Sequence, residues 1–127
     1  MILTLALISA ALAQVPVTRW HNNPAMELPY GAMRSDGPEC DRLIALVGQA
    51  GNDTGACYGW LDALGGAVYS LFTLQAQAAG YVIADERVLP DPLRGVLVVL
   101  VNEALIEGVF FLYQDGAVMA VAFSEDR

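Results

Sequence analysis

The sequence predicts an α+β domain, in which an irregular N-terminal arm and two helices precede a small antiparallel sheet of three or four strands. Three observations predict it. Prolines cluster early in the chain, helical periodicity occupies the middle, and β-branched and aromatic runs fill the last third. The 127 residues are enough for one small domain with a real core.

Residues 1–13, MILTLALISAALA, resemble a short export signal. They are uncharged, mostly apolar, and end in the small-x-small step that signal peptidase cleaves, which makes Gln14 the first mature residue. The segment lacks a basic residue ahead of its apolar run, and it is too short to cross a bilayer as a helix. We expect a periplasmic or secreted protein. The alternative is an ordinary N-terminal element of a cytosolic domain.

Residues 14–38 hold four of the six prolines and show no sustained period, so they are predicted to form an irregular arm ahead of a single domain over 39–127. The large apolar side chains of the arm are expected to pin it onto the body, because burying such groups is strongly favourable. An exposed aromatic arm that binds glycans or peptides is the alternative. The side chains concerned are Trp20, Met26, Leu28, Tyr30 and Met33.

Two helices are predicted next. The first covers 39–49, with Leu43, Ile44 and Val47 on one face. The second covers 56–79 and ends at Gly80. Because the stretch 63–84 is uncharged, an integral membrane protein spanning these residues is a further alternative, although the polar residues and glycines in it favour a buried helix.

The last third is predicted to be a sheet. Strands are expected around 81–89 and 96–101, and Asp115-Gly116 between two apolar runs predicts a two-residue hairpin turn. That turn pairs Gln114 with Ala117 and places two apolar sets on opposite faces. The first set, predicted to face the core, is Phe110, Leu112, Met119, Val121 and Phe123; the second is Phe111, Tyr113, Val118 and Ala120.

Cys40 and Cys57 are the two cysteines of the chain, and in an oxidising compartment they are predicted to form a disulfide that joins the two helices. A structural zinc site needs four Cys or His ligands, and the chain has one histidine, His21. The alternatives are two free thiols or a reactive Cys57 at a helix start. Glu103 and Glu107 would share a helical face, as acid–base or calcium-binding pairs do, but a solvated turn is the preferred interpretation.

The net charge of −8 and the absence of lysine exclude the basic patch that nucleic-acid binding requires, and they disfavour anionic membranes. No catalytic, metal-binding or cofactor-binding set is found in the sequence. The hypothesis is therefore an exported, non-enzymatic binding or accessory module of the bacterial envelope, which acts on a basic protein partner or self-associates. The alternative is a small hydrolase that uses Cys57 or surface carboxylates. The candidate interaction surface is Phe111, Tyr113 and Val118 on the hairpin, with Trp20 and Tyr30 on the arm.

Overall fold

A seven-stranded antiparallel sheet dominates the computed structural model, which describes residues 14–61, 65–114 and 116–127. The strand order is β1-β4-β5-β9-β8-β7-β6, and β2 and β3 form a separate two-stranded sheet. The strands are β1 Gln14–Pro16, β2 Arg19–Trp20, β3 Asn23–Glu27, β4 Met33–Ser35, β5 Ala56–Leu61, β6 Val82–Val88, β7 Gly95–Val101, β8 Leu105–Gln114 and β9 Ala117–Asp126. The helices are α1 Pro38–Leu46 and α2 Gly65–Ala78.

This architecture corrects the predicted fold class, because the sheet is much larger than three or four strands and the described chain is mostly β. Part of the difference lies in the predicted second helix. Its first residues form β5, an internal strand between β4 and β9, and only Gly65–Ala78 are helical. Tyr58 and Trp60 favour strands, and all of β5 except Leu61 is buried.

The arm also contributes strands, which the prolines did not suggest. β1 and β4 extend the main sheet at its edge. Pro16 has no N–H to donate, but β1 is the outermost strand, and an edge strand can accommodate a proline. The β2–β3 hairpin leaves the sheet and folds over it. Residues 14–38 are thus part of the domain, and Trp20, Met26 and Leu28 are buried in its core.

The C-terminal hairpin has the predicted register, with Gln114 opposite Ala117, Leu112 opposite Met119 and Phe110 opposite Val121. Gly116 has the positive φ of 70° that a tight turn requires. Asp115 lies outside the described residues, as do residues 1–13 and 62–64.

Each face of the sheet carries a packed apolar cluster, but the larger core lies on the face opposite to the predicted one. Phe111, Val118 and Ala120 pack there against α2 and the β2–β3 hairpin. The predicted core face packs against α1 in a smaller cluster that contains the disulfide. Sequence alternation identified the two faces correctly, but it could not show which one the longer helix covers.

Candidate functional site

Glu107 is the third residue of β8, on the same face as Val109 and Phe111, and its side chain is fully buried. Its neighbours across the sheet are Leu100 on β7 and Ser124 on β9. A carboxylate in such a place is costly unless its oxygens accept hydrogen bonds. The groups that donate hydrogen bonds to this carboxylate therefore indicate its structural role.

These partners come from the β2–β3 hairpin. The indole Nε1 of Trp20 donates to both carboxylate oxygens, at 3.0 Å from Oε1 and 3.2 Å from Oε2. The side-chain amide of Asn22 donates to Oε1 at 2.8 Å. Burial and the neighbouring Glu107 carboxyl raise the pKa of Tyr81, which keeps that phenol neutral beside the carboxylate. Glu107 thus fixes the hairpin onto the sheet.

His21 and Tyr58 form a second connection between the hairpin and the sheet. The backbone N–H of His21 donates to the Tyr58 hydroxyl at 3.2 Å, and that hydroxyl lies 2.8 Å from Nδ1 of the same histidine. Burial lowers the pKa of His21, against the opposing effect of the Glu107 charge. A neutral imidazole whose Nδ1 accepts the Tyr58 proton fits both hydrogen bonds. The Trp20 ring stacks on Tyr58 with centroids 5.0 Å apart.

A second tryptophan fixes the other side of the arm. The indole Nε1 of Trp60 on β5 donates to the carbonyl oxygen of Pro29 at 3.0 Å, in a buried position. Leu28, Pro29 and Ala32 are buried around this bond. Tyr30, between them, is fully exposed, with a relative accessibility of 102%.

The two fixed parts of the arm border a groove of about 550 Å³. Arg19 and Glu27 form an ion pair at its rim, with 3.4 Å between Nη2 and Oε1, and both side chains are largely exposed. Apolar groups of Val17 and Leu28 contribute to the lining, and Tyr30 borders the groove. Further lining residues are Pro16, Thr18, Pro29, Gly31, Ala32, Met33 and, from α2, Gln75.

The hydrogen bonds of the buried cluster connect the β2–β3 hairpin to the sheet. Glu107 has no solvent access, and its oxygens are taken by Trp20 and Asn22. The side-chain hydrogen bond of His21 is to Tyr58. The arrangement is thus suited to hold the arm in one conformation. The exposed polar and aromatic side chains of the arm, Arg19, Glu27 and Tyr30, lie at the groove.

The structure separates the five predicted surface residues. Phe111 and Val118 are completely buried in the larger core, and Trp20 is 1% exposed. Tyr113 is half-buried against the same core. Tyr30 is the exposed member of the set, and it does not pin the arm as predicted.

Cys40 and Cys57 form the predicted disulfide, with Cα atoms 5.5 Å apart. It joins α1 to strand β5 rather than to a second helix. Since Cys57 is bonded and fully buried, it offers no thiol in this structure.

Glu107 is the residue that the sequence interpretation missed. Glu103 is exposed in the turn between β7 and β8, as a solvated residue should be, but Glu107 is not. The sequence signal that indicates its burial is the position of Glu107 in the alternation of side chains along the strand. Glu107 is two residues before Val109 and four before Phe111, so a strand extended back from the hairpin turns its side chain to the face those residues share.

Within residues 14–61, 65–114 and 116–127, no three His, Cys, Asp or Glu side chains are grouped so that they could hold a metal ion. None of the helices described is long and apolar enough to cross a membrane. The chain matches no protein-family model, and comparisons with curated proteins and with solved structures find no significant match.

Proposed function

We propose that the chain is a small exported, non-enzymatic binding module of the bacterial envelope, and that its arm groove holds a basic segment of a partner protein. The observation that carries the proposal is Tyr30, a fully exposed aromatic residue at the border of the groove. Aromatic residues are enriched among the residues that dominate binding energy at protein interfaces.

The rigidity of the arm supports this function. Trp20 and Trp60 fix the two sides of the groove through buried hydrogen bonds. A groove held in one conformation before binding loses little conformational entropy when a segment enters it, which favours affinity.

Charge supports a basic partner. The net charge of −8 attracts cationic chains and steers them toward the protein. The Arg19–Glu27 pair at the rim offers Glu27 to an incoming cation, which can replace the exposed and therefore weak internal ion pair.

Export is the part of the proposal that concerns location. The apolar leader with its Ala-Leu-Ala ending supports it, and the disulfide is compatible with an oxidising compartment. Intact-mass analysis of protein from a bacterial host tests it. We expect the mature chain to begin at Gln14, and cytosolic protein that retains Met1 would contradict export.

Selection from a phage-displayed library of random peptides tests the binding function. The wild type should enrich peptides rich in Lys and Arg, and Tyr30→Ala should bind them at least about tenfold more weakly, since an aromatic anchor contributes about 2 kcal/mol. Val88→Ala is the matched control, because Val88 is also exposed but lies on the far edge strand β6. Selection that returns no peptide, or binding that tolerates Tyr30→Ala, would refute the proposal.

A further inference from the structure

The outer face of helix α2 carries an apolar seam that the fold does not cover. Val68, Phe72 and Ala76 point into the core, but on the opposite side Leu71 is 48% and Leu74 61% exposed. Ala67 and Ala78 are exposed on the same side. The spacing of these four residues, 67, 71, 74 and 78, alternates steps of four and three, which is the spacing of a coiled-coil contact line.

The seam is also symmetric along the helix. Read in either direction it is Ala, Leu, Leu, Ala with the same steps, about a centre between Phe72 and Thr73. A two-fold axis through that centre would place Leu71 of one helix against Leu74 of another, and Ala67 against Ala78. Contacts of this reciprocal kind define the interface of a two-fold dimer.

Charge singles out this face for contact between copies. Two chains of net charge −8 repel each other, so acidic surfaces cannot meet cheaply. Helix α2 has no charged residue over its 14 positions. The four seam residues thus bring no like charges together, and the charges that adjoin the Ala78 end belong to the oppositely charged Arg19–Glu27 pair.

We infer that α2 is a self-association surface, through which two copies pair with their helices antiparallel and Leu71 opposite Leu74. The inference rests on the exposed face of α2 and does not require that the arm groove bind a peptide. A contact confined to one face of a short helix belongs to the class of interfaces that bury less than about 1,200 Å². The dimer is accordingly weak, with a dissociation constant on the order of 100 µM.

Sedimentation equilibrium from about 10 µM to about 1 mM tests the dimer across this range. The weight-average mass of the wild type should rise toward twice the monomer mass. Leu71→Glu and Leu74→Arg should each remain monomeric, with circular dichroism showing an intact fold because both side chains are exposed. Val88→Glu is the matched control for Leu71→Glu, since it adds the same negative charge at an exposed position on β6. It should associate like the wild type.

Mixing tests the antiparallel register. In a mixed dimer of Leu71→Glu with Leu74→Arg, the new Glu faces the new Arg and the remaining leucines face each other, so an equimolar mixture should regain the dimer mass. In a parallel pair each new charge would face a leucine, and mixing would restore nothing.

Salt gives a further readout, because screening weakens the repulsion between the copies and should strengthen the wild-type dimer. A wild type that stays monomeric, a Leu74→Arg variant that still associates, or a mixture that stays monomeric would overturn the inference. So would a monomer that instead binds phosphatidylcholine vesicles through Leu71 and Leu74, because the occupant of the seam would then be lipid.

Discussion

The indole Nε1 of Trp20 lies 3.0 Å from Oε1 of Glu107, across 87 residues of sequence and in the interior of the protein. The contact joins the β2–β3 hairpin to strand β8. Because both groups are buried, neither can exchange its partner for water, and loss of the carboxylate would leave the Trp20 indole N–H without an acceptor. The arm, and with it the groove, therefore depends on one buried carboxylate.

Removing that carboxylate should destabilise the fold. We expect Glu107→Ala to lower the free energy of unfolding by about 2–4 kcal/mol, because it leaves a cavity and removes the acceptor of the buried Trp20 indole and of the half-buried Asn22 amide. Urea unfolding followed by tryptophan fluorescence measures it. Glu103→Ala, which changes an exposed glutamate in the preceding turn, is the control and should stay within about 0.5 kcal/mol of the wild type. Equal unfolding midpoints for the two variants would show that Glu107 does not anchor the arm.

The disulfide should stabilise the fold by a similar amount through a different mechanism. Replacing Cys40 and Cys57 together with Ala should cost about 3 kcal/mol, because the bond closes a loop of 17 residues in the unfolded chain. Reduction of the wild type with dithiothreitol should give the same loss in a urea titration. An unfolding midpoint that neither treatment moves is the contrary result.

Gly95 should tolerate no side chain. Its φ is 154°, and a Cβ added there would overlap the carbonyl oxygen of Phe111 on the adjacent strand β8. Gly95→Ala should therefore cost more than about 2 kcal/mol. Gly66→Ala is the matched control, because a Cβ there meets open space within a helix, and the change should be neutral or stabilising by up to about 1 kcal/mol. Thermal unfolding that ranks the two variants in the opposite order would contradict the strand geometry.

His21 should make stability depend on pH. Its pKa in the folded protein is lowered by burial, so the unfolded imidazole takes up a proton more readily than the folded one. The resulting stabilisation is present above the unfolded pKa of about 6.5 and is lost as the pH falls through the lower, folded pKa. The wild type should thus lose more free energy of unfolding between pH 7 and pH 5 than His21→Gln does. Parallel pH profiles for the two proteins would show that His21 is not held neutral.

Local patterns in the sequence predicted local structure well. Asp115-Gly116 gave the register of the β8–β9 hairpin, because a two-residue turn permits few alternatives. The period of Leu43 and Ile44 gave helix α1, and the cysteine count gave the disulfide. In each case the information lies within a few neighbouring residues or in the number of residues of one type.

Relationships between distant segments were not predictable in the same way. The sequence favours a helix that includes Ala56–Leu61, because an apolar stripe with helical spacing runs from Leu61 into α2, but pairing with β4 and β9 makes these residues an internal strand. Tertiary context overrides local propensity in such a segment. The role of Glu107 was hidden for a related reason, since its donors on Trp20 and Asn22 reach it only after the arm folds over the sheet.

An NMR titration tests most directly whether the fixed arm forms a binding groove beside Tyr30. The ¹⁵N-labelled protein is titrated with a basic peptide obtained from the phage-display selection. Chemical-shift changes should be concentrated in residues 16–19 and 27–33, with β6 unaffected, and they should be lost in Tyr30→Ala. Changes centred on the exposed face of α2, on β6, or spread evenly over the acidic surface would contradict this prediction.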